Sequence, residues 1–197
     1  YIDWYLSGWV GAYLTKQGYY SAAPETSKAF LTDNEWGYWI EGKEAQADIT
    51  NPDGKVMETA AKEAGWGKRM RKGRGLGFAA HYSFVSYVAA VLDVEVKKTG
   101  ELVIHKATMA IDCGAQINPD RIRSQMEGSC IMGVGLATTG EISFDKGAPK
   151  QSNFHDYQVP RIPQAPKEIA VHLVDPGKEV ELGGVGEPGV PPIAPAL

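Results

Sequence analysis

From residue 88 onward the apolar positions alternate. Val88, Ala90, Leu92, Val94 and Val96 fall on one side with a period of two, which predicts a strand over residues 88–96. Lys97, Lys98, Thr99, Gly100 and Glu101 read as a hairpin turn. Residues 102–112 return as the partner strand, with Val103, His105, Ala107, Met109 and Ile111 on a common face. A histidine in that row reads as a satisfied or edge residue rather than a metal ligand. Upstream, Val56, Met57, Ala60, Ala61 and Ala64 recur at helical spacing over residues 55–64. The Asn51-Pro52-Asp53-Gly54 turn precedes this helix, and Gly65 is placed to stop it.

Downstream, Asn118 caps a second helix and Pro119 occupies its first turn. Ile122, Met126, Cys130 and Val134 line its apolar stripe. A second face carries Gln125, Gly128, Ser129 and Met132, small enough for tight packing against a neighbour or for close approach of a ligand. Short strands are expected over residues 141–145, 151–157 and 169–174, with a turn at Lys146-Gly147-Ala148. The sum is an α+β fold of mixed and antiparallel strands with two or three packed helices.

Residues 1–54 differ in texture and are read as a separate aromatic-rich N-terminal segment. Trp4, Trp9, Trp36 and Trp39 lie there, among 11 of the chain's 19 aromatic residues. So many rings must cover a core or face another domain. Residues 2–16 read as a short helix ended by Gly18, and residues 33–37 as a turn. The first residue is Tyr1 and the last three are Pro195-Ala196-Leu197, where an apolar stretch begins; both ends read as cuts in a longer polypeptide.

The net charge of −4 does not suggest nucleic acid, and Lys68, Arg69, Arg71, Lys72 and Arg74 read as a solvated loop. No apolar run is long enough to span a bilayer, and no charged-then-apolar leader is present in this sequence. Cys113 and Cys130 lack C-x-x-C spacing and read as small buried thiols; His81, His105, His155 and His172 show no zinc spacing. No metal ligands are therefore assigned.

The run Gly183-Gly184-Val185-Gly186-Glu187-Pro188-Gly189-Val190-Pro191-Pro192 isolates one carboxylate among glycines and prolines. Buried there, Glu187 would be poorly solvated, its pKa would rise, and it would suit a general base. Exposed, it would be an idle residue in a structural turn.

Several blocks now form a pattern: Gly65-Trp66-Gly67, Gly73-Arg74-Gly75-Leu76-Gly77, residues 81–89, Ile111-Asp112-Cys113-Gly114, Asn118-Pro119-Asp120, Gln125-Met126-Glu127-Gly128, residues 151–157, and the run from Gly183. In this order they resemble the molybdenum-cofactor-binding large subunit of the xanthine dehydrogenase/aldehyde oxidase family, nearest the isoquinoline 1-oxidoreductase branch. The resemblance implies that residues 55–197 are part of a larger molybdopterin-binding catalytic domain. It implies oxidation of an aldehyde or N-heteroaromatic carbon with oxygen from water. Glu187 would be the base that takes the proton of the attacking oxygen. Gln125 would contact the pterin or a metal ligand, and Gly184 and Gly186 would offer backbone N–H groups at close approach.

The implied cofactor is a molybdopterin-type molybdenum cofactor, in a dinucleotide form, held by its pterin rather than by side chains. The implied partners are the rest of the catalytic subunit, a small subunit carrying [2Fe–2S] clusters, and a small-molecule substrate. The family's Gly-Gln-Gly-type pterin loop is absent, so the chain would hold about half of an active site and be inactive alone. The branch favours a periplasmic location. Two other readings stand beside this one: a homologous non-catalytic binding or assembly module, and a carbohydrate-binding domain stacking sugars on Trp4, Trp9, Trp36 and Trp39.

Overall fold

The computed structural model describes residues 54–176 and 181–197. The tryptophans at 4, 9, 36 and 39, and the helix and turn expected before residue 54, lie outside the described residues. The elements are α1 (Lys55–Ala64), β1 (Arg74–Ser83), β2 (Ser86–Val96), β3 (Leu102–Asp112), α2 (Pro119–Thr138), β4 (Phe144–Asp145), β5 (Ala148–Pro149), β6 (Ile169–Leu173) and α3 (Ile193–Ala196). A four-stranded sheet runs in the order β1-β2-β3-β6. The first three strands are antiparallel neighbours and β6 lies parallel to β3. A parallel neighbour needs a crossover, and α2 with the segment behind it provides one.

Both faces of the sheet are covered. On one face Val88, Ala90, Leu92, Ile104, Ala107, Met109 and Ile111 pack with Ile122, Met126, Cys130 and Val134 of α2 and with Ile193 of α3. On the other, Ala89, Val91 and Ala110 pack against Val56 and Ala60 of α1. The alternation in β2 is real, but its second face is apolar too, which a strand between two helical layers requires.

The expected partner strand is corrected in one respect. Asp93 pairs with Lys106 and Val94 with Ile104, so His105 is the extra residue of a β-bulge. The bulge puts Ile104, not Val103 or His105, in the buried row with Ala107, Met109 and Ile111. His105 instead meets Glu95, Nε2 to Oε2 at 2.7 Å, and Arg71 bonds both oxygens of the same carboxylate at 2.8 Å. His105 and Arg71 hold Glu95 below its ordinary pKa. Beside them Arg74 clasps Asp93 through Nε at 2.6 Å and Nη2 at 2.8 Å, which holds Asp93 ionised to lower pH. The basic loop is thus partly neutralised by two strand carboxylates.

Helix ends follow the sequence. Gly65 closes α1 at φ 67°, and Asn118 caps α2 by accepting from the Arg121 N–H at 3.1 Å. The strand expected over residues 151–157 does not form. Asp156 accepts from the Ser152 and Asn153 N–H groups at 2.9 Å, and the Asn153 carbonyl accepts from Asp156 and Tyr157 N–H. These local bonds satisfy the backbone as a turn and compete with strand pairing. The strand expected over residues 141–145 shrinks to Phe144 and Asp145, paired with β5. No described helix is long and apolar enough to cross a membrane.

Candidate active site

The chain leaving β6 returns across the sheet end as a glycine-rich loop. Three backbone ties fix its entry. The Gly183 N–H donates to the Cys113 carbonyl at 2.9 Å, and the Gly184 N–H to the Phe84 carbonyl at 2.7 Å. The Ser86 hydroxyl donates to the Gly184 carbonyl at 2.7 Å. Phe84 and Val85 form the β1–β2 turn, at φ 52° and 61°. The stem below it is flanked by Tyr82 and Tyr87, ring centroids 4.4 Å apart. Burial first, then Tyr82 and Asp112, push the Tyr87 phenol up to about 12.

These contacts explain the paired glycines. A Cβ on Gly183 would collide with Ser86 Oγ and come 2.7 Å from the Val85 carbonyl oxygen. A Cβ on Gly184 would come 2.9 Å from Phe84 Cβ. The Gly184 N–H is thus a donor used within the chain. That donor is committed to Phe84, and its missing side chain makes room for Phe84.

The loop's exit is held by α2. Pro188 and Gly189 are buried, and a Cβ on Gly189 would meet Ser129 at 2.7 Å and Met126 Sδ at 3.0 Å. One turn further, Gly133 makes room for Ile193 of α3, and Gly77 of β1 for the Ala196 carbonyl. The small residues of α2 thus serve packing at 129 and 133. Gly128 stays open, with nothing within 4 Å of an added Cβ.

Between the two clamps, Gly186 and Glu187 are exposed. The apolar enclosure expected around Glu187 is not supplied by the described residues, because Pro188 and Gly189 occupy the buried places on α2. Gln125 is exposed too, its Nε2 3.7 Å from where a Cβ on Gly186 would sit. Among the described residues the Gln125 amide, the Gly186 N–H and the Glu187 carboxylate make no hydrogen bond. An added Cβ on Gly186 would make only ordinary contact with protein, so packing within this chain does not require glycine there. An open glycine N–H beside a side-chain amide, with an exposed carboxylate next in sequence, fits a polar group approaching from outside. No group of three His, Cys, Asp or Glu residues that could hold a metal ion occurs among the described residues.

Other candidates resolve structurally. Asp112 Oδ1 accepts from the Gly114 N–H at 2.9 Å, a strand-end turn. Glu127 is exposed on another side of α2. Asp156 is held by its turn and His155 is exposed beside it. Both cysteines are free and buried, and burial pushes the Cys130 thiol up to about 12. Sequence reasoning missed Ser86, Phe84 and Val85.

The molybdopterin cofactor-binding domain family matches residues 17–166, and the chain belongs to it. The match begins within the aromatic-rich N-terminal segment and ends before the Glu187 loop. The beta subunit of isoquinoline 1-oxidoreductase from Brevundimonas diminuta is 34% identical over 154 residues, 75% of this chain and 19% of that protein. The probable hypoxanthine oxidase XdhD of Escherichia coli K12 is 28% identical over 169 residues, 78% of this chain and 18% of its own length. The chain thus spans about a fifth of these relatives. Quinoline 2-oxidoreductase from Pseudomonas putida 86 superposes on 56% of the chain and 14% of its own, at TM-score 0.48 and 24% identity.

Proposed function

We propose that this chain forms the base-bearing wall of a molybdenum hydroxylase active site within a larger catalytic subunit. The carrying observation is that exposed Gly186 lies beside exposed Gln125, next to Glu187 in a loop clamped at both ends. When bound, the molybdenum cofactor supplies a two-electron acceptor for oxidation of an aldehyde or N-heteroaromatic carbon, with oxygen from water. Gln125, through its amide, and Gly186, through its N–H, hold the cofactor from this side. Glu187 takes up a proton at a carboxylate oxygen as the carbon–oxygen bond forms. The parent polypeptide supplies the other cofactor wall, and closing it over Glu187 excludes water from the carboxylate. The cofactor is a dinucleotide form, and the electrons leave through [2Fe–2S] clusters on a separate subunit. The chain alone therefore retains no molybdenum and does not turn over.

The test is Glu187→Gln in the full-length parent protein. Molybdenum and pterin content should stay at wild-type levels while kcat falls by about 10² to 10⁴, the contribution of a positioned base. A kcat within threefold of wild type, with chemistry limiting, removes Glu187 as the base.

A further inference from the structure

We propose that the β1–β2 hairpin turn sets the position of Glu187, with Ser86 as its positioning residue. This rests on Glu187 being the base, and it adds a buried residue 98 positions before Gly184. Ser86 is 0% exposed and its hydroxyl donates to the Gly184 carbonyl. The Phe84 carbonyl takes the Gly184 N–H in return. One residue of the loop is thus bonded on both sides by two residues of one turn. Only Val185 and Gly186 separate that tie from Glu187, and Pro188 and Gly189 are already seated on α2. A displacement of the Gly184 tie therefore passes to Glu187 with little chain to absorb it.

The turn itself has a cost. Phe84 and Val85 both sit in the left-handed region, which L-residues avoid and a β-branched valine avoids most. A two-residue hairpin with those dihedrals ordinarily uses Asn-Gly. Here Phe84 supplies the carbonyl that takes the Gly184 N–H and a side chain that stands against the loop. The strain is retained where the turn is also the seat of the loop.

Two measurements test this. In the full-length parent protein, Ser86→Ala removes the donor without adding bulk. Amide hydrogen exchange over residues 183–190 should accelerate about tenfold or more, while α2 and the β2–β3 amides keep wild-type protection. In the full-length holoenzyme, Ser86→Ala should lower kcat per bound molybdenum about 10- to 100-fold with KM within twofold, as for a displaced reacting group. Unchanged exchange in residues 183–190 overturns the inference, as does uniform acceleration of all amides, which reports lost global stability. Accelerated loop exchange with full kcat per molybdenum also overturns it. The base assignment fails separately: Glu187→Gln retaining kcat removes that reading whatever Ser86→Ala does to exchange.

Discussion

Two glycines of one helix should respond to alanine with opposite sign. Gly128 and Gly133 both lie in the interior of α2. Exchanging an interior helical glycine for alanine gains about 0.5–1 kcal/mol, because glycine loses more backbone entropy on folding. At Gly128 nothing lies within 4 Å of the new methyl, so Gly128→Ala should stabilise the chain by that amount. At Gly133 the methyl would sit 2.5 Å from Ile193 Cβ and 2.9 Å from both Cγ atoms. Ile193 is fully buried, and its Cβ moves only with the backbone of α3. Relief therefore requires α3 to shift from α2, an overpacking cost of about 1–3 kcal/mol set against the same gain. Gly133→Ala should then be destabilising by up to about 2.5 kcal/mol, and the two variants should differ by the overpacking cost, about 1–3 kcal/mol. Urea unfolding with unchanged m-values measures both. Adding Ile193→Ala should not restore stability, because alanine keeps the offending Cβ. Gly133→Ala proving as stable as Gly128→Ala would refute the close α2–α3 contact that holds the loop's exit.

Three further outcomes follow from the fold. Asp93, held below its ordinary pKa by Arg74, contributes stability that is present above the unfolded carboxylate range and lost as pH falls through the lower folded value. Asp93→Asn should therefore flatten the acid limb of a Tm-against-pH curve, and an unchanged limb would exclude the pair. Asn118→Ala should cost about 0.5–2 kcal/mol in urea unfolding through loss of the α2 cap, and a neutral result would show the Arg121 N–H bond is replaced by water. Cys130, fully buried and with its thiol pushed up to about 12, should react with an aromatic disulfide reagent only at the rate of unfolding. Rapid labelling in native buffer would contradict that burial.

Local features were legible because their causes are local. Asn118, Gly65 and the Lys97–Glu101 turn act within a few residues, and each does what its chemistry dictates. The alternation of β2 located the strand. It did not show that both faces are buried, which depends on α1 packing behind Ala89 and Val91. The bulge at His105 was invisible for a related reason: one extra residue shifts a row by one, and only pairing with Asp93 and Val94 reveals it. At the site, Glu187 stood out as one carboxylate among glycines and prolines, while its specific role and that of Gln125 came from resemblance to a family, not from periodicity. A glycine that admits a ligand and one that admits Phe84, as Gly184 does, look alike in a sequence. Phe84 and Val85 carry none of the Asn-Gly signal of their turn, and Ser86 acquires its partner only when the chain returns.

That return has a temporal side. The seat for Gly184 is finished when Ser86 is made, but Gly184 itself is 98 residues later. At about 5–20 residues per second of synthesis, the hairpin waits about 5–20 s for its occupant. During that interval the sheet's first three strands and α2 can assemble, while the Ser86 hydroxyl and Phe84 carbonyl stay in contact with water. The Glu187 loop thus emerges after every strand of the sheet, and among the described residues only α3 and the residues flanking it follow. A ribosome that stops at Leu182 releases a chain with every strand of the sheet and no Glu187.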